Sequence, residues 1–407
     1  MILKKFLLLF FIALSTFAMA EEPAITNYKF YGFVRNDFYI NSRQNVESLD
    51  GLFQLFPKPI ELNSANKDKN AIPQSEMLSI QTRFGLDING STMFGAKSSA
   101  KIEADFTGFG ANFYVLRIRQ AYAQLNWEKT ELLVGQTWHP LYGNVIPTTP
   151  SCNNESPFQP FNRSPQVRVK YNLSTSLSLT AAAIYQMQYT SLGPLGASSS
   201  YLKNALLPNL FLGAESKTNH WISGIGMDLK TIKPTIELLT SASAVAYTQY
   251  SNSTFQLKAK ALWGENLSDH RMPWGYGIGG INIATGDSTY TNFNSISSWI
   301  DAVYGTKWQL GVFVGFSQNL GTNQNLLADS NGKYTVYGAG FFTKNQQMLD
   351  RLYRIAPHVS FNLPNLKFGV EYELTSVNYG TLRSTGRVVN PYIVNNHRVV
   401  ASISYIF

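Results

Sequence analysis

Past its first twenty residues the chain has no apolar run long enough to cross a membrane as a helix, which takes about 20 consecutive apolar residues. A helical membrane protein is thereby excluded. Charge is scarce too: Asp, Glu, Lys and Arg make up 14% of the 407 residues, against roughly 25% in an ordinary soluble domain. The single cysteine, Cys152, cannot form an internal disulfide and reads as a free thiol in a polar, proline-rich loop. The five histidines have no cysteine or carboxylate partners at ligand spacing, so neither a metal nor any other cofactor is expected. No GxSxG motif accompanies the Asp269-His270 dipeptide, which leaves catalysis without a nucleophile. Gly275, Gly277 and Gly280 have GxGxxG spacing but lie outside any βαβ pattern. The net charge of +8 is scattered rather than clustered, so there is no nucleic-acid footprint.

What the chain does have is aromatic side chains, 14% of all residues, at a mean hydropathy of only −0.11. Few charges, many rings and balanced hydropathy occur together in transmembrane barrels, where every other residue meets lipid and the rest meet water. The N-terminus fits an exported protein. Lys4 and Lys5 precede the apolar run from Phe6 to Leu14, and Ala18-Met19-Ala20 offers small residues for cleavage. Residues 1–20 are therefore expected to be a signal peptide and 21–407 a single barrel domain.

Period-two alternation recurs along the chain. Val167, Val169 and Tyr171 oppose Arg168 and Lys170. Leu257, Ala259 and Ala261 oppose Lys258 and Lys260. Phe368, Val370 and Tyr372 oppose Glu371 and Glu373. Residues 78–89 read as one strand with Leu78, Ile80, Phe84, Leu86 and Ile88 on its apolar face. Many runs reach nine residues or more, the length a tilted strand needs to cross a bilayer. Tight joins at 128–131, 172–175, 304–307 and 363–366 interleave with long polar segments at 41–76, 139–164, 191–217, 320–333 and 379–396. The expected fold is an all-β, transmembrane antiparallel barrel of about sixteen strands, with fourteen or eighteen as alternatives. Its turns would be periplasmic and its long loops extracellular. The final ten residues make one crossing that ends in Tyr405 and Phe407. A terminal aromatic on such a strand resembles the signal read by the barrel-assembly machinery of Gram-negative bacteria.

The segment 139–164 holds Pro147, Pro150, Pro157 and Pro160 together with Phe158 and Phe161. An external loop has little use for those rings, so this segment is expected to fold inward. Arg117 and Arg119, two apart, share a strand face that lipid would penalise by roughly 2–4 kcal/mol per arginine near the midplane. That face must look into the lumen. Arg35 with Asp37, and Arg83 with Asp87, share polar faces in the same way. Arg168 is on the lumen side of the strand after the loop, and Arg163 stands at the loop's end.

The stretch from Leu116 to Gly143, with its paired arginines, "AYAQL" strand and "LLVGQTW" strand, resembles the DcaP-like porins and related Bacteroidota porins. Residues Ser156–Tyr171 are similar to the exit of that group's constriction loop, and Tyr31–Gln44 to its first strand. These patches cover about a fifth of the chain. Some members carry a helical extension before the barrel, whereas strand one is expected here within ten residues of the cleavage site, which argues against a periplasmic stalk. The resemblance implies a passive, homotrimeric diffusion channel in the outer membrane, bedded in lipid and lipopolysaccharide. Six lumen arginines against two acids would then favour small anionic, or neutral, solutes. The same arginines could equally pair with wall or loop carboxylates and brace the structure, and both readings stay open here. An outer-membrane enzyme, and a structural or adhesive barrel with a blocked lumen, are the alternatives in other classes.

Overall fold

A computed structural model describes residues 27–107 and 115–407; the expected signal peptide lies outside them. Sixteen strands form the barrel: β1 (Asn27–Asn41), β2 (Arg83–Met93), β3 (Ala96–Asp105), β4 (Arg117–Asn126), β5 (Thr130–Trp138), β6 (Arg163–Asn172), β7 (Leu177–Ile184), β8 (Asn209–Lys217), β9 (Trp221–Ile232), β10 (Leu239–Ser251), β11 (Phe255–Glu265), β12 (Ser288–Gly305), β13 (Trp308–Thr322), β14 (Gln347–Asn362), β15 (Leu366–Leu382) and β16 (Val388–Ile406). Each strand pairs antiparallel with its sequence neighbours. Closure comes from β1 and β16, in register from Phe33 opposite Ile406 to Asn41 opposite Arg398. Closing the sheet removes every unpaired strand edge, which lipid could not satisfy.

The burial pattern is the reverse of a soluble protein's. Phe368, Val370 and Tyr372 are exposed on the outer face of β15, while Glu371 and Glu373 between them are buried. On β6, Val167, Val169 and Tyr171 are exposed. Such an apolar exterior is stable only against acyl chains. The C-terminal strand obeys the same rule, with Val399, Ile403, Tyr405 and Phe407 outward and Arg398 inward. Phe407 stacks on Phe30 at 5.6 Å between ring centres.

Both chain ends of the barrel lie at one rim, together with tight turns such as 94–95, 127–129 and 363–365. The opposite rim carries the longer connections. Two expectations fail there. Residues 379–396 are not a long loop: β15 and β16 run on to Leu382 and from Val388 and join through 383–387. Beyond the bilayer neither face of a strand has to be apolar, so the alternation fades although pairing continues. Likewise the last nine residues of the 191–217 segment belong to β8. Residues 78–89 are not one strand either. A turn in which Ser79 accepts from the Thr82 amide bends the chain, so Leu78 and Ile80 enter the interior cluster instead of facing out with Leu86 and Ile88.

Candidate functional site: a lumen narrowed by two inner loops

The segment 139–162 crosses the barrel interior and is fastened to the far wall by polar contacts. The Thr148 amide donates to Asp301 at 2.7 Å, and Lys258 Nζ donates to the Ile146 carbonyl at 3.0 Å. Lys260 Nζ donates to Gln159 Oε1 at 2.7 Å. At the tip, Asn153 Nδ2 reaches Glu373 at 2.7 Å and Asn154 Nδ2 reaches Glu371 at 3.0 Å. The wall is cut back to admit the loop. A Cβ at Gly315 would sit 2.7 Å from the Phe158 ring, and one at Gly369 would sit 2.6 Å from Pro150.

A second segment enters as well. The strands Asn45–Ser48 and Phe53–Pro57 form a hairpin inside the lumen, with Phe53 and Phe56 fully buried. Phe53 meets Phe161 edge to face at 4.7 Å. The same sign that singles out 139–164, large apolar residues in a long loop, is present in Leu52, Phe53, Leu55 and Phe56. Arg354 on β14 ties both loops down. It donates to the carbonyls of Asn153 at 2.6 Å and Leu55 at 2.8 Å, while its Nε lies 3.3 Å from Glu373.

Facing the loops is the arginine-rich wall of β1–β6. Arg117 and Arg119 both point inward, and both are paired. Asp105 accepts from Arg117 Nε at 3.0 Å and Nη2 at 2.9 Å, and from Arg119 Nη1 at 2.8 Å. Glu103 accepts from Arg119 Nε at 2.7 Å and lies 3.9 Å from Arg83. Arg35 is bridged to Asp37 at 2.7 Å and also donates to the Pro150 carbonyl of the loop. Asp87 pairs with Lys101 at 2.6 Å, not with Arg83. Of the six arginines read as facing the lumen, two have no carboxylate within ion-pair distance among the described residues. Arg163, 0% exposed, is surrounded by Trp138, Phe161 and Tyr189 at 4.6–5.3 Å and donates to the Tyr189 hydroxyl at 2.6 Å. Arg168 donates to Gln166 Oε1 at 2.9 Å and to the Trp138 carbonyl at 2.5 Å.

Glu103 and Asp105 had a legible signal. They stand two apart on one strand, as Arg117 and Arg119 do on the next, so a hairpin brings the pairs opposite each other. Arg83, Arg117 and Arg119 thus share two carboxylates, Glu103 and Asp105, whereas Arg163 and Arg168 have none within ion-pair distance among the described residues. Cys152 and Glu155 of the loop are only partly covered. Burial, then the Glu155 charge, pushes the Cys152 thiol up to about 12. Among the described residues no three His, Cys, Asp or Glu side chains converge as metal ligands.

Behind the loop, His139 and His270 meet edge to face at 4.7 Å. Lys230 donates to Asp269 at 2.5 Å, and the Phe161 amide donates to the His270 carbonyl at 2.9 Å, so this cluster joins two loops to β9. Burial lowers His270 to about 4 despite the neighbouring Asp269 carboxylate. With its folded pKa below the unfolded value, the unfolded chain binds the proton first. The His270 contribution to the loop assembly is therefore level above pH 6.5 and falls as pH drops from 6.5 to 4, by roughly 3 kcal/mol, and His139, lowered by burial, acts in the same direction. Burial raises the Glu155 carboxyl, an effect of opposite sign whose contribution is lost as pH rises. The urea midpoint of near-UV circular dichroism in detergent should fall over that acid window in the native protein. In His270→Gln the slope over the same window should flatten.

No family model matches the sequence, and no curated protein matches it. Solved structures do. The architecture is that of outer-membrane channel barrels. The outer membrane channel DcaP of Acinetobacter baumannii superposes with a TM-score of 0.69 at 18% identity, over 96% of this chain and 100% of that one. The anion-selective porin from Comamonas acidovorans gives 0.54 at 9% identity, over 94% and 100%. The trimer form of OmpT from Vibrio cholerae gives 0.53 at 11%, over 94% and 99%. At these identities the likeness is one of fold, and the chain shares the DcaP barrel fold over nearly its whole length.

Proposed function

We propose that the protein is a porin of the Gram-negative outer membrane, a passive channel for small hydrophilic solutes with a preference for anions. Solutes would pass the gap between loop 139–162, acting as the constriction, and the wall built by β1–β6. The observation that supports this best is the charge balance of that gap. Arg35, Arg117 and Arg119 are bound to carboxylates, whereas among the described residues neither the partly exposed Arg168 nor Arg163, buried behind it, has one within ion-pair distance. In a narrow, low-dielectric passage such uncompensated cations raise the local concentration of anions. The anion selectivity named for the Comamonas porin agrees with this reading. So does the channel description of DcaP. Residues 1–20 would direct export, Phe407 would engage the barrel-assembly machinery, and the short turns would face the periplasm. Lipid and lipopolysaccharide would cover the outer belt. A homotrimer is the proposed assembly, as in the trimer form of OmpT. No catalytic step belongs to this reading.

The purified protein in planar bilayers should conduct in steps of three and show an anionic reversal potential in a KCl gradient. Arg168→Gln combined with Arg163→Met should lower the anion-to-cation permeability ratio roughly two- to fivefold. Cation selectivity in the native channel would remove the charge argument. The second reading, a structural barrel, draws on the two loops that fill much of the lumen. Absence of any conductance would favour it.

A further inference from the structure

On the turn side of the constriction loop lies a cavity of about 210 Å³ whose two ends carry opposite charge. Its cationic end is β6, where Arg168 and Lys170 outnumber the one carboxylate beside them, Glu131 of β5, which lines the cavity directly opposite Lys170. Two bonds to Gln166 and one to the Trp138 carbonyl, through Nε and Nη2 only, fix the Arg168 guanidinium in place. The side chain of Lys170, the next inward position, makes no hydrogen bond or ion pair among the described residues. The anionic end is Glu215 on β8, held by Asn144 Nδ2 at 2.6 Å and by the Tyr247 hydroxyl at 2.8 Å. Between them Ser178 and Thr180 of β7 line the cavity. Ser178 is directly opposite Glu215, and Thr180 is directly opposite Lys170. From β6 to β8 is two strand spacings, roughly 10 Å. Side chains from both ends shorten that to the length of a small molecule.

We propose that this cavity is a binding subsite for small amphoteric solutes of the amino-acid class, carboxylate toward Arg168 and Lys170 and ammonium toward Glu215. The inference rests on the lumen being a conducting path and adds the solute class to it. A simple anion gains at β6 but meets the Glu215 carboxylate, and a simple cation meets the converse. Only a solute with both charges satisfies both ends, and rejection of each single-charge species supplies the selectivity. The bonds on Glu215 and Arg168 come from neutral groups, so each retains its full charge for a ligand. Fixing both ends before binding lowers the ordering cost of capture.

The test is block of the KCl current through single channels by glycine and β-alanine, against acetate and methylammonium. Half-blocking concentrations for the amino acids should be roughly tenfold lower, the equivalent of one charge-assisted hydrogen bond. Lys170→Gln and Glu215→Gln should each abolish the difference, while Lys129→Gln, in the adjoining turn, should keep it. Equal block by glycine and acetate, or a preference that survives both variants, overturns the subsite and leaves the porin standing. A protein that passes no current overturns the porin reading instead. The cavity is then judged by titrating tryptophan emission of the detergent-solubilised protein with glycine, where Trp138 lines the site. Saturation absent in Lys170→Gln supports it, and no saturation in the native protein overturns it.

Discussion

Arg354→Met is expected to widen the passage and loosen both inner loops together. Arg354 is 1% exposed and its guanidinium donates to Thr375, to Asn153 of the crossing loop and to Leu55 of the hairpin. Its charge also offsets Glu373, which in turn holds Asn153. Removing the cation strands a buried carboxylate and frees the carbonyls of two loops at once. Breaking one side of a buried pair costs roughly 3–5 kcal/mol. Because the barrel wall keeps its own backbone ladder through Arg354 and Thr375, the loss falls on the loops rather than on the strands. Single-channel conductance should rise roughly twofold or more, since current through a pore follows its narrowest section. The loss of near-UV dichroism should come at lower urea while the strand signal stays. Unchanged conductance would mean that these loops do not set the narrow section.

The second large effect is expected at Asp105. This carboxylate is 0% exposed and accepts from both Arg117 and Arg119. Asp105→Ala leaves two buried guanidinium groups with Glu103 as their one remaining acid, at a cost of roughly 3–5 kcal/mol. The variant should fold poorly in detergent, and the fraction that folds should be more anion-selective than the native channel. The double variant Asp105→Leu with Arg117→Met removes charge from both sides of the pair. It should recover most of the stability, because well-packed apolar substitutes for a buried ion pair are often neutral. Urea midpoints of the two variants decide this. A single variant as stable as the native protein would show that the cluster is solvated and not a brace.

Much of the barrel is legible without coordinates. The tight joins, the tripled Phe368, Val370 and Tyr372 against Glu371 and Glu373, and the aromatic end at Phe407 need only the backbone's two-residue period. Where that rule stops applying, reading the chain also stops working. In the outer parts of β15 and β16 polar residues stand on both faces of strands that are still paired, and they pass for a loop. The bend at 79–82 fails for a related reason: Leu78 and Ile80 continue the alternation in sequence while a turn sends them to the interior. Glu103 and Asp105 were within reach, at the same spacing as the arginines they face. Arg354 was not, because nothing near residue 354 in the chain announces carbonyls at 55 and 153.

From its sequence alone this protein is fixed as a lipid-facing, all-β barrel with polar side chains turned inward. Alternation is a local property of extended backbone, and every strand repeats it independently. The folded chain alone decided which lumen charges cancel, that the 45–57 hairpin shares the interior with the crossing loop, and where opposed charges are left facing across a cavity. Those outcomes depend on register between strands and on where long loops return, and both are set by closure of the whole ring.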